Sequence, residues 1–356
     1  MHLWFGQSKS FIFMNQYKIG LIQDIGSDMD FIREYCFAGD SLLKLKGCNK
    51  FIFNRPTLLK MTNFAKVVKT IYLKMSADIN KLEQIASQVR RDIVRMVHAC
   101  QSGHPGGSLG CTDYFVALYF NAMKHDPSFN MDGIGEDLFF LSNGHISPVF
   151  YSTLAHAGYF EVSELATFRK INSRLQGHPT THEHLPGIRI ASGSLGQGLS
   201  VAIGAAQAKK LNKDSNLVYV LMGDGELQEG QVWEAAMYAP HNKVDNLIAT
   251  VDYNKAQIDG STDQVLSLGN LRAKWEAFGW DVMEIEKGND MTAVVAGLAE
   301  AKSRTGKGKP VVILLHTEMG NGVDFMMGSH KWHGVAPNDD QLASALGQLT
   351  ETLGDY

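Results

Sequence analysis

The chain has 356 residues, a formal net charge of −4 and 44% hydrophobic residues, enough for one large or two ordinary domains with a sizeable buried core. An acidic balance argues against a nucleic-acid surface, and no apolar run approaches the roughly 18 residues of a membrane span. Cys36, Cys48, Cys100 and Cys111 lack C-x-x-C spacing, so neither a zinc knuckle nor a disulfide framework is implied, and a reducing cytoplasm suits the chain.

The charge is uneven. Residues 1–74 hold nine Lys and two Arg against four Asp and one Glu, a formal +6, which leaves −10 for residues 75–356. The first segment mixes Trp4, Phe5, Phe11 and Phe13 with lysines and has no sustained helical or strand period, and its acids make it a poor signal or transit peptide. We expect translation to begin at or near Met75, with residues 1–74 a misassigned start or a poorly ordered extension; a lysine-rich interaction arm is the rival expectation. Ser76-Ala77-Asp78 would then open the first helix.

From there the elements follow in order. Leu82, Ile85, Ala86, Val89, Ile93, Met96 and Val97 recur at three and four, which predicts an amphipathic helix over 77–101. Ser102-Gly103-His104-Pro105-Gly106-Gly107-Ser108-Leu109-Gly110 is a loop whose glycines allow close backbone approach and whose proline presents an imidazole. The run 138–141 reads as a strand ending in Ser142-Asn143-Gly144-His145, with a helix over 148–157. Leu175-Gln176-Gly177-His178-Pro179 repeats the Gly-His-Pro presentation. His178, His182 and His184 match no standard zinc spacing, so a solvated loop is the plainer reading there. Gly193-Ser194-Leu195-Gly196-Gln197-Gly198 opens a helix rich in small residues. It lacks the dinucleotide fingerprint spacing, and close packing at a helix pair or subunit interface explains it better.

Next comes the stretch that organises the chain. The apolar run 217–222 reads as a buried strand delivering Gly223-Asp224-Gly225 to the carboxyl end of a sheet, where open α/β sheets bind ligands. Trp233, Ala236 and Met237 fall at helical spacing, so a helix N-terminus suited to a diphosphate should follow the turn. A second strand over 246–251 brings Asp252 and Asn254 to a matching end. One carboxylate, one amide oxygen and a nearby carbonyl form a hard oxygen site of the kind Mg²⁺ prefers. Beyond it, helices over 271–278 and 291–303 alternate with strands over 280–285 and 310–315, and Lys331-Trp332-His333-Gly334 precedes a final helix over 338–353. Such alternation predicts a three-layer α/β fold, a mostly parallel sheet with helices on both faces.

GDGELQEG over 223–230, followed by Trp233-Glu234-Ala235 and by Asp252-x-Asn254 with Gln257-Ile258-Asp259-Gly260, resembles the thiamine diphosphate motif in its transketolase form. SGHPGGSLG, LSNGH, GHP, GSLGQG and the closing WHG occur in the family's order, so residues 76–353 are similar to the amino-terminal, diphosphate-binding (PP) domain of transketolase. The resemblance implies thiamine diphosphate and Mg²⁺ as cofactors. Asp224, Asn254 and the carbonyl of Ala256 would hold the metal. Gly225, His145 and the turn Gly193, Ser194, Leu195 would contact the cofactor, with Asp252 and Ile258 near its thiazolium ring. His104, His178 and His333 would surround the reacting carbon and the sugar hydroxyls, His333 also reaching the diphosphate, and Glu229 matches the family's subunit-contact glutamate. Ser194 and Ala256 depart from the family's usual proline and larger aliphatic; neither removes a side-chain ligand.

In that family the glutamate that activates the cofactor's aminopyrimidine, and the arginines for the sugar phosphate, belong to the following domain. This chain stops at Tyr356, so the resemblance implies one subunit of a split transketolase, active only with a separate C-terminal subunit carrying the pyrimidine-binding domain. Self-association, a heterotetramer and sugar phosphate substrates would follow, with neither nucleic acid nor membrane as a partner. A deoxyxylulose phosphate synthase-like or ketoacid dehydrogenase-like subunit is the alternative within thiamine enzymes, and GELQEG, QIDG and WHG favour transketolase. A non-catalytic cofactor-binding protein is the alternative outside them.

Overall fold

The computed structural model describes residues 78–356 with their side chains, and residues 55–77 only as the helical backbone that leads into them. The chain divides into two compact units, Met1–Tyr72 and Leu73–Tyr356, and the second carries everything that follows. The expectations for residues 1–74 lie outside the described residues, apart from the helical backbone from residue 55 onward.

Five strands form one parallel sheet: β1 (Leu138–Leu141), β2 (Val218–Gly223), β3 (Leu247–Asp252), β4 (Asp281–Ile285) and β5 (Val311–Leu315), in the spatial order β4-β5-β3-β2-β1. Their apolar runs read continuously because both faces are covered, and the two-residue period sorts them between two cores. Phe139, Leu141, Tyr219, Leu221, Ile248, Ile313 and Leu315 pack into one core. Leu138, Phe140, Val218, Val220, Ala249, Val251 and Leu314 pack into the other.

The first core is roofed by residues 82–97 of α1 (Arg55–Cys100), with α2 (Pro105–Gly110), α3 (Thr112–Ala117), α4 (Ser147–His156) and the helix Met291–Arg304, and the second by α5 (Gly198–Leu211), α6 (Gly230–His241) and the helix Leu271–Phe278. Short α7 (Thr262–Leu266) precedes α8 (Leu271–Phe278), and α9 (Met291–Arg304) and α10 (Asp339–Gln348) complete the set. This is the three-layer α/β fold that the alternation predicts.

Three local expectations are corrected. Helix α1 does not open at Ser76, and no glycine or proline interrupts residues 57–100. Helix α10 ends at Gln348 rather than 353. The residues beyond it are held against α1: the amide of Thr352 donates to Gln88 Oε1 (3.1 Å), and the guanidinium of Arg91 donates to Asp355 Oδ2 (2.6 Å). Finally, α6 does not begin at the Gly-Asp-Gly turn. A 3₁₀ turn, Gly225–Gln228, intervenes and Glu229 is the residue before α6.

Candidate active site

The site is assembled at the carboxyl ends of β1, β2, β3 and β5. Two buried carboxylates lead. Asp224 follows β2, 1% exposed; its Oδ1 accepts from the amide of Gly225 (2.7 Å) and its Oδ2 from the amide of Lys255 (2.5 Å). Lys255 reaches that position with a left-handed backbone, φ 61°. Asp252 ends β3, 2% exposed; its Oδ2 accepts from Asn254 Nδ2 (2.8 Å) and its Oδ1 from Thr317 Oγ1, just past β5. Asn254 Oδ1 in turn accepts from the amide of Ala256 (2.9 Å). Burial first, and the neighbouring Asp252 second, push the Asp224 carboxyl up to about 8, and burial also raises Asp252. Anions stabilised so poorly by their surroundings, with hard oxygens only, fit a divalent cation such as Mg²⁺.

A third carboxylate escaped the sequence reading. Glu226, 2% exposed, accepts from Ser142 Oγ after β1, from the amide of Gly196 (2.7 Å) and from the amide of Gly223 (3.1 Å). Ser142 Oγ also accepts from the amide of Gly198 (2.9 Å). One side chain therefore ties the GSLGQG turn and the ends of β1 and β2 together. The signal lay inside GDGELQEG, but a glutamate there reads as solvent-facing, because glutamates are seldom buried without a partner.

The four histidines named from sequence converge. Ring centroids of His104 lie 5.1 Å from His145, 5.8 Å from His333 and 6.3 Å from His178, and His145 stacks on His333 at 5.2 Å. Glycines let the turns approach this closely. A Cβ on Gly106 would lie 2.7 Å from the carbonyl oxygen of Trp332, and one on Gly144 only 2.1 Å from that of Ser192. Burial, then the mutual charge of the cluster and Arg169, pushes His104 down to about 4. His145, His178 and His333 are lowered as well, burial again leading. All four rings are thus uncharged at neutral pH, each able to donate at one nitrogen and accept at the other. Nδ1 of His104 and of His333 are buried without a hydrogen-bond partner.

The two groups adjoin. A Cβ on Gly223 would lie 3.7 Å from Nδ2 of Asn143, two residues before His145. Ile258, 61% exposed, lines with His333, Trp332 and Val335 an open cleft of about 710 Å³. Gly193 faces His178, a Cβ there lying 3.8 Å from its ring, while Ser194 and Leu195 are exposed at the same rim. Glu229 is exposed and packs under Gly196. The amide of Gly225 already donates to Asp224, so it is less free for a diphosphate than the sequence suggested. Among the described residues, the His, Asp and Glu side chains spaced for an ion are Glu284, Glu286 and His316 at the β4 edge, not His178, His182 and His184.

Comparison with known proteins identifies the family of the chain. Residues 81–351 match the family described as transketolase, thiamine diphosphate binding domain. The chain is 38% identical over 275 residues to one of the subunits of apulose-4-phosphate transketolase from Phocaeicola vulgatus, covering 77% of this chain and 96% of that one. It is 38% identical to a 6-deoxy-6-sulfo-D-fructose transketolase subunit of a Clostridium species, covering 77% and 98%. Among solved structures, transketolase from Pichia stipitis in complex with sedoheptulose 7-phosphate superposes with a TM-score of 0.70 at 34% identity over 75% of this chain, which spans only 40% of that longer one. The chain belongs to the transketolase family and comprises its thiamine diphosphate-binding, amino-terminal domain.

Proposed function

We propose that the chain is the diphosphate-binding subunit of a two-chain, Mg²⁺-dependent transketolase, moving a two-carbon ketol unit from a ketose phosphate to an aldose phosphate. The observation that carries this reading is the nest of four converging imidazoles beside Asp224 and Asp252 at the carboxyl end of the sheet. Relatives named as subunits support the two-chain form, because this chain matches nearly their whole length and under half of the solved transketolase.

In this reading Asp224 and Asn254 offer side-chain oxygens, and Ala256 its carbonyl, to Mg²⁺. Gly225 faces the cofactor's diphosphate, and His145 and the turn Gly193–Leu195 contact the cofactor, with Asp252 and Ile258 beside the thiazolium ring. Bound thiamine diphosphate supplies the nucleophilic carbon and the electron sink that breaking a carbon–carbon bond requires. His104, His178 and His333 then orient the sugar hydroxyls and can take or return a proton at a ring nitrogen without first losing one to water. Glu229 contributes to a subunit contact, and the exposed small-residue face of α5 fits self-association within a heterotetramer. A separate C-terminal subunit supplies the pyrimidine-binding domain and the phosphate-recognising groups. A cytoplasmic place belongs to the same proposal; Cys100 and Cys111 are free thiols, and no helix among the described residues is long and apolar enough to cross a membrane.

The test is ketol transfer to ribose 5-phosphate, with thiamine diphosphate and Mg²⁺, by this chain alone and mixed with its candidate partner. Donors should include xylulose 5-phosphate, apulose 4-phosphate and 6-deoxy-6-sulfofructose. Activity in the mixture alone is expected; turnover by the single chain would defeat the split-enzyme reading.

A further inference from the structure

Both Gly-His-Pro turns lean on one side chain that the sequence reading passed over. Arg169 has a left-handed backbone, φ 58°, and its amide donates to the carbonyl of Leu175 (2.9 Å). Its Nη1 donates to Ser102 Oγ (2.7 Å), two residues before His104. Its Nη2 reaches the carbonyl of Gly177, directly before His178, at a longer 3.4 Å. A Cβ on Gly177 would lie 2.7 Å from Arg169 Cζ, so a side chain there would displace the guanidinium from this position. The guanidinium sits over the Phe168 ring, 5.5 Å from its centroid, and Phe168 itself borders Gly103.

We propose that Arg169 is the positioning residue of the imidazole nest: its guanidinium ties the Ser102 and Gly177 ends of the two Gly-His-Pro turns together and so sets the spacing of His104 and His178. The planar fork explains why arginine stands there. A guanidinium presents donors in two directions at fixed separation, which an ammonium on a flexible stem does not. Its charge has a second consequence. Among the described residues no carboxylate lies within ion-pair distance of Arg169, so its field falls on its neighbours. His104 faces His145, His178, His333 and Arg169; His178 faces Arg169 and His104; the Cys100 thiol and Lys170 are the other titratable groups nearby. A fixed cation beside two imidazoles disfavours their protonation.

The inference rests on the proposed roles of His104 and His178, and its test separates the two. Arg169→Lys keeps the charge and loses the fork; Arg169→Gln keeps a donor and loses the charge. Histidine ring titration by NMR on the full chain, labelled at histidine, needs no activity. Arg169→Gln should move the His104 and His178 titrations to higher pH, and Arg169→Lys should leave them near their original positions. In the reconstituted two-subunit enzyme, both variants should lower kcat/KM for the ketose donor about tenfold with the KM for thiamine diphosphate unchanged. Ser102→Ala, which removes one arm of the span and leaves the cation, should give a smaller loss of the same kind and guards against a misfolded Arg169 variant. Unmoved titrations in Arg169→Gln would show that the guanidinium does not adjoin the two rings, and an unchanged donor kcat/KM in Arg169→Lys, or a cofactor KM that rises together with the donor KM, would show that the fork does not set their spacing; either result overturns the positioning role. A wild-type mixture inactive on every donor would instead sink the transketolase reading, while the titrations would still decide the role of Arg169.

Discussion

The carboxylate end and the imidazole nest of this site adjoin but are built on opposite plans. Every oxygen of Asp224, Asp252 and Glu226 already accepts a hydrogen bond, mostly from the backbone of the turns around it. In the nest, by contrast, Nδ1 of His104 and of His333 are buried and unpaired, and the rings are held by the packing of the turns that carry them. Carboxylates tied to the turns define the shape of the cradle before anything binds, and each oxygen of Asp224, with one donor apiece, keeps a second lone pair for a cation. Unpaired imidazole nitrogens leave hydrogen-bonding capacity for a ligand, at a cost to the fold.

The largest test of that contrast is Asp224→Asn. It preserves shape and removes the charge, so the Mg²⁺ affinity of the assembled enzyme should fall more than about 100-fold, measured calorimetrically with thiamine diphosphate present. A fall of about twofold or less would mean that the carboxylate end does not hold the metal.

Gly144→Ala attacks the packing side of the comparison. The new methyl would meet the backbone oxygen of Ser192, which has no flexible end to swing away, so a loss of about 1–3 kcal/mol is expected. An unchanged melting temperature would show that the turns of the nest are looser than their spacing implies.

Glu226→Gln comes next. An amide keeps one acceptor oxygen and turns an NH₂ toward existing donors, leaving one of them unpaired. The KM for thiamine diphosphate should rise about tenfold with kcat at saturation little changed, since the residue shapes the cradle without touching the donor sugar. A drop in kcat alone would break this assignment.

The smallest effect expected is in the pH dependence of stability. The pKa of His104 is depressed from 6.5 to about 4 in the folded chain, so between those values the unfolded chain binds more protons. Its contribution to stability is fully present above pH 6.5 and is lost as pH falls toward 4. His104→Gln should therefore make denaturant stability fall less steeply between pH 6.5 and 4. An unaltered slope would show that its ring is not held uncharged.

The sequence by itself determined the alternation of helices and strands, the strands to within a residue, and most of the chemistry-bearing side chains. Asp224, Asp252, Asn254 and the four histidines stand beside glycines and prolines whose backbone preferences are local. Continuous apolar runs only four to six residues long, rich in β-branched and aromatic residues, read as strands covered on both faces. The ends of long helices were less legible. Nothing local terminates α1 at Ser76, and α10 stops at Gln348 because the following residues gain more from Gln88 and Arg91 on α1 than from another helical turn. Tertiary structure alone decided what Glu226 and Arg169 do. Both are charged residues that composition assigns to the surface, and each role needs, beside a near neighbour, partners 30 to 84 residues away: Gly196, Ser102 and Ser142. A buried charge is defined by the donors, acceptors and solvent around it, and those are assembled only when the turns at the ends of β1, β2 and β3 meet.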